Sequence, residues 1–260
     1  MKNKQTALIT GASGGIGYEL ARKIAQQGHN LVVVARSESK LMKLAQDFNK
    51  QFGVNVTVMV KDLAQSAAPD EIYNELQANE IDVDILVNNA GFASYGLFHE
   101  LDRQKELNMM QVNMVALTHL THLFLPGMVE RGYGRILNIA STAAFQPGPL
   151  MAVYYATKAY VLSFSEAIAN ELDGTGVTVT ALCPGPTESG FQARAAMEDS
   201  KLVQSGLMDA ATVAKMGYEA MMAGKPIEVP GFTNKIGTLL PRFVPRSMTT
   251  KIVRNVQKRT

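Results

Sequence analysis

The chain has 260 residues, 47% hydrophobic and 18% charged, with a formal net charge of +2. That length suits one α/β domain with a sizeable core, and the single cysteine, Cys183, excludes an internal disulfide and fits a reducing cytoplasm. Met1 to Gln5 lead into only a short apolar run, Ala7 to Ile9, so no secretory leader is expected, and no apolar run of 18 residues offers a transmembrane helix.

In chain order, short apolar runs alternate with helical segments. Thr6 to Ile9 reads as a strand, followed by a glycine-rich turn and a helix to Gln27 with Gly28 as its C-cap. Leu31 to Val34 is a second strand, continuous and apolar, as in a sheet covered on both faces. A helix from about Ser39 to Phe52, a strand from Val54 to Val60 and a helix from about Pro69 to Asn79 follow. Asp84 to Val87 is the fourth strand, and a long helix runs from about Asp102 to Met128. Arg135 to Ala140 is the fifth strand, a helix extends to about Leu172, and Val177 to Leu182 is the sixth strand. Strands separated by helices of this length imply right-handed crossovers and a parallel sheet. There is no internal repeat or low-complexity linker, so residues 1–260 are read as one domain.

The glycine turn, Thr10-Gly11-Ala12-Ser13-Gly14-Gly15-Ile16-Gly17, follows a strand and opens a helix. Gly11 permits the tight turn, Gly15 lets the backbone approach a pyrophosphate, and Gly17 allows close helix–strand packing. The helix start supplies N–H groups for phosphate. Past the second strand, Ala35-Arg36-Ser37 offers an arginine where NAD-binding chains place an acid, and no acid comes before Glu38. An arginine pairs with the 2′-phosphate of NADP, so NADP(H) is expected over NAD(H). Asp62 and Leu63, past the third strand, fall near the adenine. Asn88-Asn89-Ala90-Gly91 ends the fourth strand at the sheet's carboxyl edge, where Asn89 stabilises the edge and Gly91 makes room.

Tyr154 and Lys158 stand four apart, one helical turn along a shared face. A phenol has a pKa of about 10, and a nearby ammonium is expected to lower it. Ser141 lies 13 residues before Tyr154, across a loop holding Pro147, Gly148 and Pro149, and a hydroxyl there can fold back to the phenol. Tyr155, three from Lys158, is read as packing. Asn113 is a polar residue within the long helix, free to bond backbone or water.

Together TGASGGIG at 10–17, NNAG at 88–91, Ser141, YYATK at 154–158 and Pro184-Gly185 resemble the short-chain dehydrogenase/reductase family, in the family's order and spacing from about Thr6 to Ser189. The resemblance implies a Rossmann-type doubly wound sandwich with a seven-stranded parallel sheet ordered 3-2-1-4-5-6-7. It implies Tyr154 as general acid/base, Lys158 on the nicotinamide ribose, Ser141 orienting the substrate carbonyl, and Asn113 holding a water in a relay through Lys158. Cofactor contacts would come from Gly11, Ser13, Gly15, Ile16 and Gly17, from Asn89, Ala90 and Gly91, and from Pro184, Gly185 and Thr187 near the carboxamide. Many members have Thr where this chain has Ser189, which keeps the hydroxyl. Members pair through the helices around Asn113 and Tyr154, implying a homodimer or homotetramer.

The reaction expected is hydride transfer between NADP(H) and a carbonyl or alcohol. Phe92, Ala93, Tyr95, Phe145, Gln146, Met151 and Phe191 are the candidate substrate lining, mostly apolar or aromatic, which suits a lipophilic ketone or aldehyde. Residues 188–205 are read as a lid. Lys158-Ala159-Tyr160 departs from the Lys-Ala-Gly of many 3-oxoacyl-carrier-protein reductases, which lowers a 3-oxoacyl thioester as substrate without removing it. From another class, a non-catalytic NADP-binding sensor or scaffold is the alternative, opposed by the complete Ser141, Tyr154 and Lys158 set. The extension 230–260 is basic and amphipathic: from Lys225 onward the chain has eight Lys/Arg and one acid, Glu228. Packing over the substrate mouth or on a sister subunit is favoured for it over an anionic membrane surface, and nucleic acid is not expected. His119 and His122 lack a third ligand nearby, so no metal is expected, and Cys183 is read as buried packing.

Overall fold

The computed structural model describes residues 4–191 and 206–258. Seven strands form one sheet: β1 (Thr6–Thr10), β2 (Asn30–Ala35), β3 (Val56–Val60), β4 (Ile85–Asn88), β5 (Gly134–Ile139), β6 (Val177–Leu182) and β7 (Ile227–Glu228). Its order is β3-β2-β1-β4-β5-β6-β7, and every pairing is parallel. The alternation of side chains along a strand feeds two cores. Ala7 and Ile9 of β1 join Leu20 and Ile24 of α1 (Gly15–Gln26) and Phe48 of α2 (Glu38–Phe52) on one face. Leu8 points the other way, into the cluster holding Ile72 of α3 (Ala68–Ala78). A buried Leu or Ile contributes about 1.5–3 kcal/mol, so a strand apolar at every position is stabilised from both sides.

The expected long helix is present, running from Arg103 to Glu130 as α4 (Arg103–Met110), a π-helical turn over Gln111–Ala116, and α5 (Leu117–Glu130). In the π turn the Asn113 side chain bonds the backbone of Phe92 and the hydroxyl of Thr157 rather than solvent. The run Arg103–Glu130 is, by length and composition, long and apolar enough to cross a membrane, which corrects the sequence expectation. Val112, Ala116, Leu120, Phe124 and Met128, four residues apart, face the sheet, while Leu107, Met110, Val115 and Val129 are exposed. A core helix with an apolar outer face meets the same criterion as a membrane span.

Helix α6 (Ala152–Glu171) follows β5 and a 3₁₀ turn at Thr142–Phe145, and α7 (Ala210–Met222) packs against α1. The sequence reading missed α7, although Asp209 is a legible N-cap: its carboxylate accepts from Thr212 N at 2.8 Å. The seventh strand, two residues long, is too short to show a period; it is held by Ala181 N donating to Pro226 O and Cys183 N donating to Glu228 O, both at 2.8 Å. Last come α8 (Phe232–Leu239), a turn at Leu240–Arg242, and α9 (Arg246–Gln257).

Candidate active site

The carboxyl ends of β1, β2, β4, β5 and β6 open on one cleft of about 700 Å³, where connections diverge to the two faces of the sheet. At one end is the glycine turn. Gly11 and Gly15 have φ of +67° and +56°, the left-handed region that favours glycine. An added Cβ on Gly17 would stand 2.3 Å from Asn89 Nδ2 and 2.4 Å from Gly11 O. Asn89 fills that place itself, its Nδ2 donating to Thr10 O at 2.9 Å and Gly11 O at 3.2 Å, so the end of β4 is tied to the turn. Gly14 caps α1 without any side-chain hydrogen bond, and the first turn of α1 has no acid. Its N–H groups are therefore left for an anion. Ser189 lies over this turn: a Cβ on Gly15 would meet Ser189 Cβ at 2.7 Å, and its Oγ donates to Thr187 O at 3.2 Å.

The next stretch of cleft is lined by Arg36, Ser37, Lys40, Asp62 and Leu63. Arg36 is 75% exposed and 3.9 Å from Asp62 Oδ2, a loose pair that leaves its guanidinium able to turn to a ligand. Lys40 was not singled out by sequence reasoning. Its signal was present: four residues after Arg36 and inside the first turns of α2, it falls on the same side.

At the far end Ser141, Tyr154 and Lys158 meet in the cleft wall. Ser141 sits beyond β5 as the N-cap of the 3₁₀ turn, its Oγ accepting from Ala143 N at 3.1 Å and donating to Pro184 O at 3.4 Å, and it lies near enough to the Tyr154 phenol to act on its pKa. Lys158 donates to Ile139 O at 2.6 Å, with Nζ 5.8 Å from the centre of the Tyr154 ring. The expected lowering of the phenol pKa is not what this arrangement produces. Burial raises Tyr154 above its ordinary 10.0, the nearby Ser141 hydroxyl lowers it less, and Tyr155 adds to the rise. Lys158, turned to a backbone carbonyl and itself buried, does not offset that desolvation. Burial instead pushes Lys158 down from 10.5 to about 8.

Asn113 reaches this end as well. Its Nδ2 donates to Phe92 O and Thr157 Oγ1, both at 3.1 Å, and its Oδ1 accepts from Phe92 N at 3.2 Å. A Cβ on Gly91 would lie 3.1 Å from Asn113 Oδ1 and 3.6 Å from Lys158 Nζ, so Gly91 opens the space these two groups share. Beneath them Asn88 Nδ2 donates to Asn138 Oδ1 at 2.9 Å and Asn138 Nδ2 to Ser165 Oγ at 2.9 Å, fixing β4, β5 and α6 in register. Ile16, Ala90, Pro184, Gly185 and Thr187 also line the cleft, as does Ser13.

Of the candidate substrate residues, Phe92, Gln146, Met151 and Phe191 line the cleft, and Phe191 packs on Tyr154 with ring centres 5.3 Å apart. Ala93 is buried in the cluster with Tyr154 and Met151. Two others do not line the cleft, although Tyr95 packs on that same cluster. Phe145 packs against the cluster of Val161, Leu162 and Cys183, because the 3₁₀ turn carries it to the other side. Tyr95 hands its hydroxyl proton to Gln257 O at 2.6 Å. Tyr155, read as packing, lines the cleft and forms a short hydrogen bond with Gln257 Nε2. No local motif could have shown that partner, which lies 102 residues away. Of the expected lid, 188–191 are described and 192–205 lie outside the described residues. His119 faces Asp70 at 3.2 Å, and among the described residues no group of three His, Cys, Asp or Glu could hold a metal. Cys183 is fully buried, its thiol pushed up to about 12 by that burial.

A parallel sheet with a glycine cradle, a free helix start and a Ser, Tyr and Lys cluster facing them defines a dinucleotide-binding oxidoreductase fold. The sequence profile of the short chain dehydrogenases matches residues 5–199, and the chain belongs to the short-chain dehydrogenase/reductase family. It is 39% identical over 180 residues to a very-long-chain 3-oxoacyl-CoA reductase of Phaeosphaeria nodorum, covering 66% of this chain and 52% of that one. It therefore spans about half the length of that relative. It is 38% identical over 180 residues to the NADP-dependent 3-hydroxy acid dehydrogenase YdfG of Escherichia coli, covering 68% of this chain and 71% of the relative. Among solved structures, a short-chain dehydrogenase from Sphingobium yanoikuyae in complex with NADPH superposes with a TM-score of 0.83 at 31% identity, covering 92% of this chain and 93% of that one.

Proposed function

We propose that the chain is an NADP(H)-dependent carbonyl reductase or alcohol dehydrogenase acting on a lipophilic ketone or aldehyde. The observation that carries this reading is the meeting of Ser141, Tyr154 and Lys158 in the wall of the cleft that begins at the glycine turn. The cleft suits a nicotinamide dinucleotide: Gly11, Gly15 and Gly17 let the turn pack against Asn89 and Ser189 where a Cβ would clash, and the start of α1 has no side-chain cap. When bound, that cofactor supplies or accepts the hydride.

The remaining work falls to the chain's own groups. Ser141 orients the carbonyl oxygen by hydrogen bonding. Tyr154, protonated at neutral pH because burial holds its phenol above the ordinary value, donates its Oη proton as the carbonyl oxygen becomes an alkoxide. Positioned transfer of that kind contributes about 10²–10⁴-fold. Lys158, with a pKa of about 8, keeps its charge at pH 7 and favours the phenolate left behind. Asn113 would hold a water near Lys158 only through Oδ1, since its Nδ2 is taken by Phe92 O and Thr157 Oγ1.

Arg36 and Lys40 support NADP(H) over NAD(H), since two cations by the second strand match a 2′-phosphate. Arg36→Ala is expected to weaken NADPH binding by about tenfold or more, one charge-assisted contact, while leaving NADH binding within twofold. Fluorescence titration of both cofactors reads it, and equal losses would remove the 2′-phosphate assignment.

A second substrate reading, a 3-oxoacyl thioester, is favoured by the relative named for that reaction, against the Lys158-Ala159-Tyr160 departure. Comparing turnover of a long-chain ketone with that of a 3-oxoacyl thioester separates them. The apolar outer face of α4 and α5, with Leu107, Met110 and Val115 exposed, supports pairing of copies through these helices, as a homodimer or homotetramer. Val115→Glu is expected to lower the sedimentation coefficient, from dimer to monomer or from tetramer to dimer; an unchanged coefficient would move the interface elsewhere.

A further inference from the structure

We propose that the C-terminal segment, α8 to α9, is a docking surface for bilayers carrying anionic phospholipid. The inference stands on this segment alone and does not depend on the substrate reading. In α9, Thr249, Val253 and Gln257 recur every four residues and are buried, Val253 within the cluster of Tyr154 and Tyr155. That stripe packs against the cluster beside the site. The neighbouring stripe, Met248, Ile252 and Val256, is 42–54% exposed. In α8 the spacing of Phe232, Ile236 and Leu239 places them on one face, and all are exposed. Leu240 and Phe243, in and just past the joining turn, are also exposed, Phe243 at 84%. Large apolar side chains concentrated this way mark a surface that meets something apolar.

Charge selects the occupant. Between Phe232 and Lys258 stand Lys235, Arg242, Arg246, Lys251, Arg254 and Lys258, and no Asp or Glu. Lys235 is engaged by Glu228 at 3.5 Å; the rest find no acid within the segment. On α9, Lys251, Arg254 and Lys258 fall on the side of the exposed stripe away from the buried one, at helical spacing. Apolar residues flanked by cations match a bilayer, which is apolar at depth and negative at its headgroups. A second copy docked through the same face would bring these cations against their equivalents, and a nucleic acid would offer the apolar side chains nothing. Because α9 also bonds Tyr95 and Tyr155, lipid on its exposed stripe lies about one helix diameter, 10 Å, from the substrate end of the cleft.

Flotation of the full chain with vesicles tests this. We expect binding to mixed phosphatidylcholine/phosphatidylglycerol vesicles, at least tenfold weaker with phosphatidylcholine alone or at about 1 M salt, where screening is short-ranged. The double variant Phe232→Ser/Phe243→Ser should bind about 10²-fold more weakly, as expected for two phenyl groups no longer buried, with unchanged melting and unchanged turnover of a water-soluble carbonyl. Failure to float with anionic vesicles overturns the proposal, as does flotation indifferent to both phenylalanines. If the double variant instead changes the oligomeric state in the absence of lipid, the face belongs to a second copy and the proposal falls.

Discussion

Tyr154→Phe is expected to lower turnover by about 10²–10⁴-fold while changing NADPH affinity less than about threefold. The substitution removes one oxygen from a ring that is already 9% exposed and packed between Tyr155 and Phe191. The ring's volume and contacts stay, so the cleft keeps its shape. What disappears is the hydroxyl beside Ser141, and with it the proton to be donated. Single-turnover kinetics with a carbonyl substrate, beside a fluorescence titration of NADPH, separates chemistry from binding. Loss of both would mean that Tyr154 holds cofactor rather than moves a proton; loss of neither would mean that another group moves the proton.

Lys158→Met is expected to abolish measurable turnover and yet to stabilise the cofactor-free protein at pH 7 by about 1–3 kcal/mol. Burial lowers Lys158 from 10.5 to about 8, and each unit corresponds to about 1.4 kcal/mol. The sign follows from proton counting. Below pH 8 the lysine is charged in both folded and unfolded chains, so the full cost of burying the charge is present. Between pH 8 and 10.5 the unfolded chain binds more protons, and stability rises with pH as that cost is relieved. From about pH 9 Cys183, raised from 9.0 to about 12, begins to oppose it, and near pH 10 the buried tyrosines do so too: Tyr155 is raised to about 12 and Tyr154 is raised also, so the folded chain then binds more protons and the rise is reduced and finally reversed. Methionine keeps most of the lysine's volume but has no charge to bury, though Ile139 O loses its 2.6 Å donor, which reduces the gain. Urea unfolding at pH 7 and pH 9.5 reads this directly. A variant less stable than wild type at pH 7, or one that still gains stability between the two pH values, would contradict the assignment. The result would mean that a group serving catalysis is kept at the expense of the fold.

Much of this protein is written locally. Strand runs such as Leu31 to Val34, apolar at every position, announce a sheet covered on both faces, and the Gly11, Gly15 and Gly17 spacing announces a turn that no side chain tolerates. The pairing of Tyr154 with Lys158 is likewise legible, because four residues is one helical turn whatever surrounds it. Less was legible where an element is short or where its partners are remote. The two residues of β7 have no period to detect, and in the π turn at Gln111–Ala116 Asn113 bonds Phe92 and Thr157, neither of them near in sequence.

Sequence by itself determined the order of most elements, the glycine cradle and the one-turn spacing of Tyr154 and Lys158, since each depends on residues close together in the chain. Tertiary structure alone decided the electrostatics and the boundary of the site. Whether Lys158 acidifies Tyr154 depends on how deeply both are buried and which carbonyl the ammonium meets, and that is a property of packing. The placement of Gln257 beside Tyr155, and of Met248, Ile252 and Val256 in water, is settled by how α9 packs on the cluster around Tyr154 and Tyr155. Local pattern fixes which faces a helix has; only the folded chain fixes which of them is covered.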